Sequence, residues 1–198
     1  MGDMHDQDKR LVRDELRARR SHLSPAEAAA LSRAACARLL AAPTFGRARH
    51  VAAYAAVGNE LDPVLLVEEA LAAGKRVYLP VASRERFDFV GIASLAVDGV
   101  GRSLPPDDGP CLSPDADGVV FLVPGVAFDA RGGRLGRGSG WYDRALARHP
   151  RALRVGLAYE FQLVPRLPEA PWDVRMHGIV TEARLIGATL GQLKENRS

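Results

Sequence analysis

The chain has 198 residues, with 27 Lys and Arg against 24 Asp and Glu and a formal net charge of +3. That length makes one domain the default and buries roughly 70% of the unfolded surface, so no disulfide or metal staple is needed for stability. A balance this close to neutral is weak for a nucleic-acid binder, and no stretch approaches the roughly 18 apolar residues of a membrane span. Cys36 and Cys111 form no CxxC pair and stand near no histidine at zinc-ligand spacing, so both read as buried small apolar residues rather than ligands or nucleophiles. The first ten residues, MGDMHDQDKR, are charged and lead into no apolar run, which points to a cytoplasmic protein.

In chain order, the spacing predicts a helix over residues 8–20, crowded with Lys9, Arg10, Arg13, Arg17, Arg19 and Arg20. Ser24-Pro25-Ala26-Glu27 is a capping box with proline at the first helical position, opening an alanine-rich helix that must stop before Pro43. The continuous apolar run 50–57 reads as a buried strand. Asp62-Pro63 caps a helix over 64–73 that Gly74 ends, and a strand follows over 76–80. A further strand is expected near 87–92, whereas the segment 104–118, rich in Pro, Asp and Gly, reads as a loop.

Residues 119–123, Val-Val-Phe-Leu-Val, have the composition of a central strand buried on both faces of a parallel sheet. Chemistry in such folds sits beyond the C-terminal ends of the strands. A glycine-rich loop comes next, then a helix over 140–148 and strands over 153–158 and 179–181. This alternation predicts one three-layer α/β domain over residues 1–198, with a mainly parallel sheet and helices on both faces.

The glycine-rich loop carries the chemistry. Val123-Pro124-Gly125-Val126-Ala127-Phe128-Asp129 leads into Arg134-Leu135-Gly136-Arg137-Gly138-Ser139-Gly140-Trp141-Tyr142-Asp143-Arg144, which sets three alternate glycines around Arg137 at the start of a helix. Glycines let main-chain N–H groups approach phosphate oxygens, and a helix N-terminus adds partial positive charge. The GxGxG spacing matches neither the Walker lysine loop nor the dinucleotide fingerprint. By itself it suits an ordinary flexible loop as well. The flanking arginines and Asp143 tilt the balance towards phosphate with Mg²⁺.

This segment closely resembles the signature of the 5-formyltetrahydrofolate cyclo-ligase family. Three more blocks agree in order and spacing: the KxxxR-like start Lys9-Arg10-Leu11-Val12-Arg13, the stretch from Tyr54 to Asn59-Glu60-Leu61-Asp62, and Leu157-Ala158-Tyr159-Glu160-Phe161-Gln162 through Pro171-Trp172-Asp173 to Ile179-Val180-Thr181-Glu182. The resemblance implies a fold related to sugar-phosphate isomerases and CoA transferases. It also implies ATP-driven closure of 5-formyltetrahydrofolate to 5,10-methenyltetrahydrofolate, with Mg²⁺ as cofactor and ATP as co-substrate.

The resemblance assigns roles as follows. Residues 9–13 (Lys9, Arg10, Leu11, Val12, Arg13) and 134–142 (Arg134, Leu135, Gly136, Arg137, Gly138, Ser139, Gly140, Trp141, Tyr142) bind ATP. Glu60 and residues 137–141 (Arg137, Gly138, Ser139, Gly140, Trp141) meet the folate, Arg137 is catalytic, and Asp143 and Asp173 hold the metal. Arg131 and Arg144 read as solvated charges, Tyr54 as a buried strand aromatic, and His177 as structural. Two positions depart from the family pattern: Trp141 stands where tyrosine is usual, and His177-Gly178 stand where many relatives carry an acid. The expected protein is monomeric, acts on small molecules and touches neither nucleic acid nor membrane. A binding-only relative of the same fold is the alternative, disfavoured because such a protein need not keep both aspartates and both phosphate-facing basic residues.

Overall fold

Helix α1 (Gly2–Ser21) carries its apolar contacts on one side, where Val12 and Leu16 recur at helical spacing. The computed structural model describes residues 2–82, 87–97, 103–104, 109–187 and 190. Helix α2 (Pro25–Leu40) starts on the capping box read from the sequence: Glu27 N–H donates to the Ser24 hydroxyl at 3.2 Å, and Ser24 N–H donates to the Glu27 carboxylate at 2.9 Å. It ends before Pro43, which opens the short α3 (Pro43–Arg47). Asp62 accepts the Val64 N–H at 3.0 Å and so starts α4 (Val64–Ala72), which is followed by Gly74 at φ +71°.

Seven strands form the main sheet, in the order β12-β11-β9-β6-β1-β2-β3. They are β1 (His50–Ala52), β2 (Arg76–Ala82), β3 (Phe87–Ile92), β6 (Val119–Pro124), β9 (Leu153–Leu157), β11 (Gly178–Val180) and β12 (Leu185–Ile186). The inner five run parallel and the two edges, β3 and β12, pair antiparallel. β6 occupies the middle position, and its side chains alternate between the two cores. Val120 and Leu122 pack with α2 and α4, while Val119, Phe121 and Val123 pack with Ala145 and Leu146 of α5 (Trp141–Ala147). Helices therefore cover both faces, and a continuous apolar strand is what that sandwiching requires.

Beyond the earlier start of α1 at Gly2, the added edge strand β12 and the exposure of Cys111, the structure differs from the sequence reading in three places. β1 is three residues long, not eight. After Ala52 the chain leaves the ladder, Tyr54 turns inward to donate its hydroxyl to the Leu61 carbonyl at 2.5 Å, and residues 55–60 become a loop over the sheet's C-terminal edge. Part of the 104–118 loop is ordered against β3, with Gly91 N–H donating to Pro110 O at 2.9 Å and Leu112 N–H to Phe89 O at 2.8 Å. Residues 105–108 lie outside the described set, and the short strands β4 (Ala96–Val97) and β5 (Ser103–Leu104) pair antiparallel.

The third difference is a second, three-stranded sheet hidden inside what reads as a glycine loop. It is made of β7 (Ala127–Asp129), β8 (Arg134–Leu135) and β10 (Leu163–Val164). Helix α1 rests on it through Leu16 against Val126, Ala127, Leu135 and Leu167.

Asp129 locks this small sheet. Its carboxylate is fully buried; one oxygen accepts N–H groups of Arg131 (2.9 Å) and Gly133 (3.0 Å), and the other accepts the Leu167 N–H (2.9 Å) and the Arg131 guanidinium (3.0 Å). Arg131, read from the sequence as a solvated charge, is thus paired with a buried acid. A side chain at Gly133 would strike that carboxylate, so the glycine is required there. Burial alone would raise the Asp129 pKa, but the bonds from Leu167, the Arg131 side chain and the Gly133 and Arg131 main chain hold it below 3.8.

A depressed carboxyl pKa contributes stability that is full above the unfolded-state value and lost as pH falls through the folded-state value. Asp129→Asn cannot accept all four bonds. It should cost about 2–4 kcal/mol in urea unfolding at pH 7. The gap to the parent protein should narrow below about pH 4. An equal gap at pH 7 and pH 3 would show that the charge is not what stabilises the turn.

Candidate active site

A cleft of about 620 Å³ opens beyond the C-terminal ends of β1, β2 and β6. This is the end at which parallel α/β sheets present their loops. Its floor is apolar and comes from strand ends: Tyr54 and Ala55 after β1, Pro80 and Ala82 of β2, Phe87 of β3, and Pro124-Gly125 after β6. Its walls are α1, the 57–60 loop, the 134–143 segment and Trp172-Asp173.

Helix α1 presents Lys9 and Arg13 to the cleft from the same side that packs Val12 and Leu16 on the small sheet. Lys9 Nζ lies 3.3 Å from Asp173 Oδ2, and Arg13 Nε donates to the Gly136 carbonyl at 2.9 Å. Arg10 and Leu11 face the other way; Leu11 is 63% exposed. Of the five residues expected here from the sequence, Lys9 and Arg13 reach the cleft, Val12 anchors the helix, and Arg10 and Leu11 stand outside.

The glycine loop needs its glycines. Gly138 has φ +108° and Gly140, which precedes α5, has φ +66°. A Cβ on Gly136 would lie 2.7 Å from Arg134 Nη1. Among the described residues, no protein acceptor takes the main-chain N–H groups of residues 137–140. The loop therefore keeps unspent donors on residues that line the cleft, as an anion cradle must.

The Arg134 side chain is only 5% exposed, with its guanidinium 5.6 Å from the Tyr142 ring centroid, and its Nη2 donates to Asp143 Oδ2 at 2.9 Å. Its Nε is buried with no protein partner among the described residues. The second Asp143 oxygen accepts the Val174 N–H at 3.3 Å, and Asp173 Oδ2 accepts the Ala170 N–H at 2.8 Å. The two aspartates predicted to act together are thus brought onto one wall, each balanced by a basic side chain.

Glu60 sits across from the loop. Its Oε1 accepts from Arg137 Nη2 at 2.7 Å and lies 3.7 Å from Arg20 Nη1, while Oε2 accepts the Val57 N–H at 3.1 Å. Trp141 and Phe87 meet edge to face with centroids 5.2 Å apart, and Phe87, Tyr142, Phe89 and Phe121 continue that aromatic wall inward. Burial raises the Tyr142 phenol far above its ordinary value, so it remains a protonated donor.

The sequence reading set Tyr54 aside as a buried aromatic, which it is, and gave no site role to Pro80, Phe87 or Trp172. All four line the cleft without belonging to the glycine motif. Their signal was positional: the first three stand at strand ends on the C-terminal side of the sheet, where ligands bind. His177 lies outside the cleft lining and accepts the Arg154 N–H through Nδ1 at 3.0 Å, as its structural reading requires.

The 5-formyltetrahydrofolate cyclo-ligase family profile matches residues 5–182. The 5-formyltetrahydrofolate cyclo-ligase of Escherichia coli is 34% identical over 178 residues, covering 86% of this chain and 98% of its own. That of Mycolicibacterium smegmatis is 36% identical over 154 residues, covering 71% and 77%. Among solved structures, the 5,10-methenyltetrahydrofolate synthetase of Aquifex aeolicus superposes with a TM-score of 0.76 at 34% identity, covering 96% of this chain and 95% of its own. The Mycoplasma pneumoniae synthetase gives 0.71 at 25% identity, covering 88% and 99%. The chain belongs to the 5-formyltetrahydrofolate cyclo-ligase family, and it is an enzyme.

Gly138 tests the loop geometry by itself, because a Cβ there would meet open space apart from Arg13 Nη2 at 3.9 Å. Gly138→Ala therefore reports backbone strain alone. It should cost roughly 1–3 kcal/mol. Thermal unfolding should show a fall of several degrees in Tm; an unchanged Tm would mean that the loop does not hold this conformation in solution.

Proposed function

We propose that the enzyme closes 5-formyltetrahydrofolate to 5,10-methenyltetrahydrofolate at the expense of ATP, with Mg²⁺ bound at the nucleotide phosphates. The supporting observation is that four basic side chains, two aspartates, a glycine loop with free N–H donors and an aromatic wall converge on one cleft. Such a site suits a polyanion lying beside a planar heterocycle.

The formyl oxygen is a poor leaving group because it belongs to an amide. Transfer of the γ-phosphoryl group to it breaks the bond to ADP and makes the formyl carbon electrophilic. The N10 amine then attacks that carbon, phosphate departs with the C–O electron pair, and N10 loses its proton. In this scheme the protein positions the reactants and neutralises charge. Lys9, Arg13 and Arg134 hold phosphate oxygens, and the loop N–H groups of residues 137–140 complete the cradle. Arg137, half-exposed on that loop, meets the charge that spreads over the transferring phosphoryl oxygens, for which a planar guanidinium is well shaped. Glu60 accepts hydrogen bonds from the folate ring, and Trp141 with Phe87 packs against its face.

Asp143 and Asp173 are the residues that would hold Mg²⁺, which supplies charge neutralisation across neighbouring phosphate oxygens. Both are oxygen donors lining the cleft, and Mg²⁺ at nucleotide sites typically takes one or two carboxylates and leaves the rest to phosphate and water, which supports the reading. Lys9 and Arg134 pair with the two carboxylates. The form proposed is a monomer acting on these small molecules in the cytoplasm.

Purified protein incubated with 5-formyltetrahydrofolate should form the methenyl product only when ATP and a divalent cation are both present, with one ADP released per cyclisation. Equal rates without nucleotide, or ATP hydrolysis without product, would refute the reading. Asp143→Asn and Asp173→Asn keep shape while removing charge. Each should lower kcat and shift half-maximal activation to higher Mg²⁺, on the order of tenfold for loss of one charged ligand. Unchanged Mg²⁺ dependence in both variants would remove the metal role.

A further inference from the structure

Glu60 is held by two guanidinium groups that differ in kind. Arg137 leaves its side chain 50% exposed on a glycine loop and makes the short contact of 2.7 Å. Arg20 is 12% exposed, stands 3.7 Å away on α1, and does not line the cleft. The end of α1 that carries Arg20 is clamped to the same loop as Glu60, because the Asn59 amide donates to the carbonyls of Arg20 (3.3 Å) and Leu23 (2.8 Å). Arg20 and Glu60 thus move as one unit, whereas Arg137 belongs to a separate and more open segment.

When Arg137 turns towards a phosphoryl group, Glu60 loses its nearest counter-charge. Its side chain is only 9% exposed, and a carboxylate that buried without a cation is strongly disfavoured. We propose that Arg20 is a positioning residue: it holds the Glu60 carboxylate in place at the cleft while Arg137 is engaged elsewhere. This rests on the proposed roles of Glu60 towards the folate and Arg137 towards the phosphoryl group. Burial lowers the pKa of the Arg20 guanidinium and the Glu60 carboxylate opposes that, as a mutually supporting pair does. Arg20 touches neither substrate, so its effect passes through Glu60 alone.

The test is a double-variant cycle on the full chain with both substrates. Arg20→Gln should raise KM for 5-formyltetrahydrofolate on the order of tenfold while kcat and KM for ATP change little. Arg20→Lys, which keeps the charge on a stem of similar length, should recover most of the loss and guards against a folding defect in the first variant. In a Glu60→Gln background, Arg20→Gln should add less than about twofold, since its target is gone. Independent, multiplying effects of the two substitutions would overturn the proposal, as would an unchanged folate KM in Arg20→Gln. A Glu60→Gln variant with normal folate KM would sink the folate role of Glu60 and this inference with it. Loss of folate affinity in Glu60→Gln alongside additive behaviour of Arg20 would sink only the inference.

Discussion

The carboxylate of Asp129 is the constraint on which the active side of the molecule depends. A charge with no access to water is tolerable only when its lone pairs are met, and this one is met by three N–H groups and a guanidinium. Those bonds tie together the β7–β8 turn and residue 167, which are remote in sequence. The small sheet thus stabilised gives α1 a surface to lie on and delivers Arg134 to the cleft from β8. Without it, Lys9 and Arg13 would have no fixed relation to the glycine loop. The aspartate sits beside the glycine motif, and its part is architectural.

Inside the cleft, charges are met by one another. Four basic and three acidic side chains line it, and the acids are shared out among the bases: Asp173 with Lys9, Asp143 with Arg134, Glu60 with Arg137. Such pairs limit the conformations each side chain samples. They also mean that a polyanion must compete with carboxylates for its cations. Under the proposed function, a divalent ion arriving with it would relieve that competition by taking up the displaced aspartates.

Much of this was legible in the sequence, for identifiable reasons. The capping box at Ser24 and Glu27 is a local interaction and appeared as read. The central position of β6 followed from its unbroken apolar run, since only a strand covered on both faces carries one. Arg134, Arg137, Gly138 and Asp143 line the cleft because the motif that holds them is short and contiguous. What could not be read locally was anything fixed by distant pairing. β8 and β10 are two residues each and owe their existence to partners across the fold. β1 ended early because the Tyr54 hydroxyl found Leu61, a bond that no hydrophobic pattern encodes. On α1, the sequence offered a block from Lys9 to Arg13; helical geometry divided it, turning Leu11 to solvent and Val12 to the core.

The footing of α1 has a consequence for traffic through the site. Described apolar anchors on this helix are few, chiefly Val12 and Leu16, while Lys9, Arg13 and Arg20 attach it through polar contacts to the cleft. A segment held this way opens at lower free energy than the sheet beneath it. Salt weakens its polar attachments more than its apolar ones, so rising ionic strength loosens the grip of this helix on the cleft before it disturbs its seat on the small sheet.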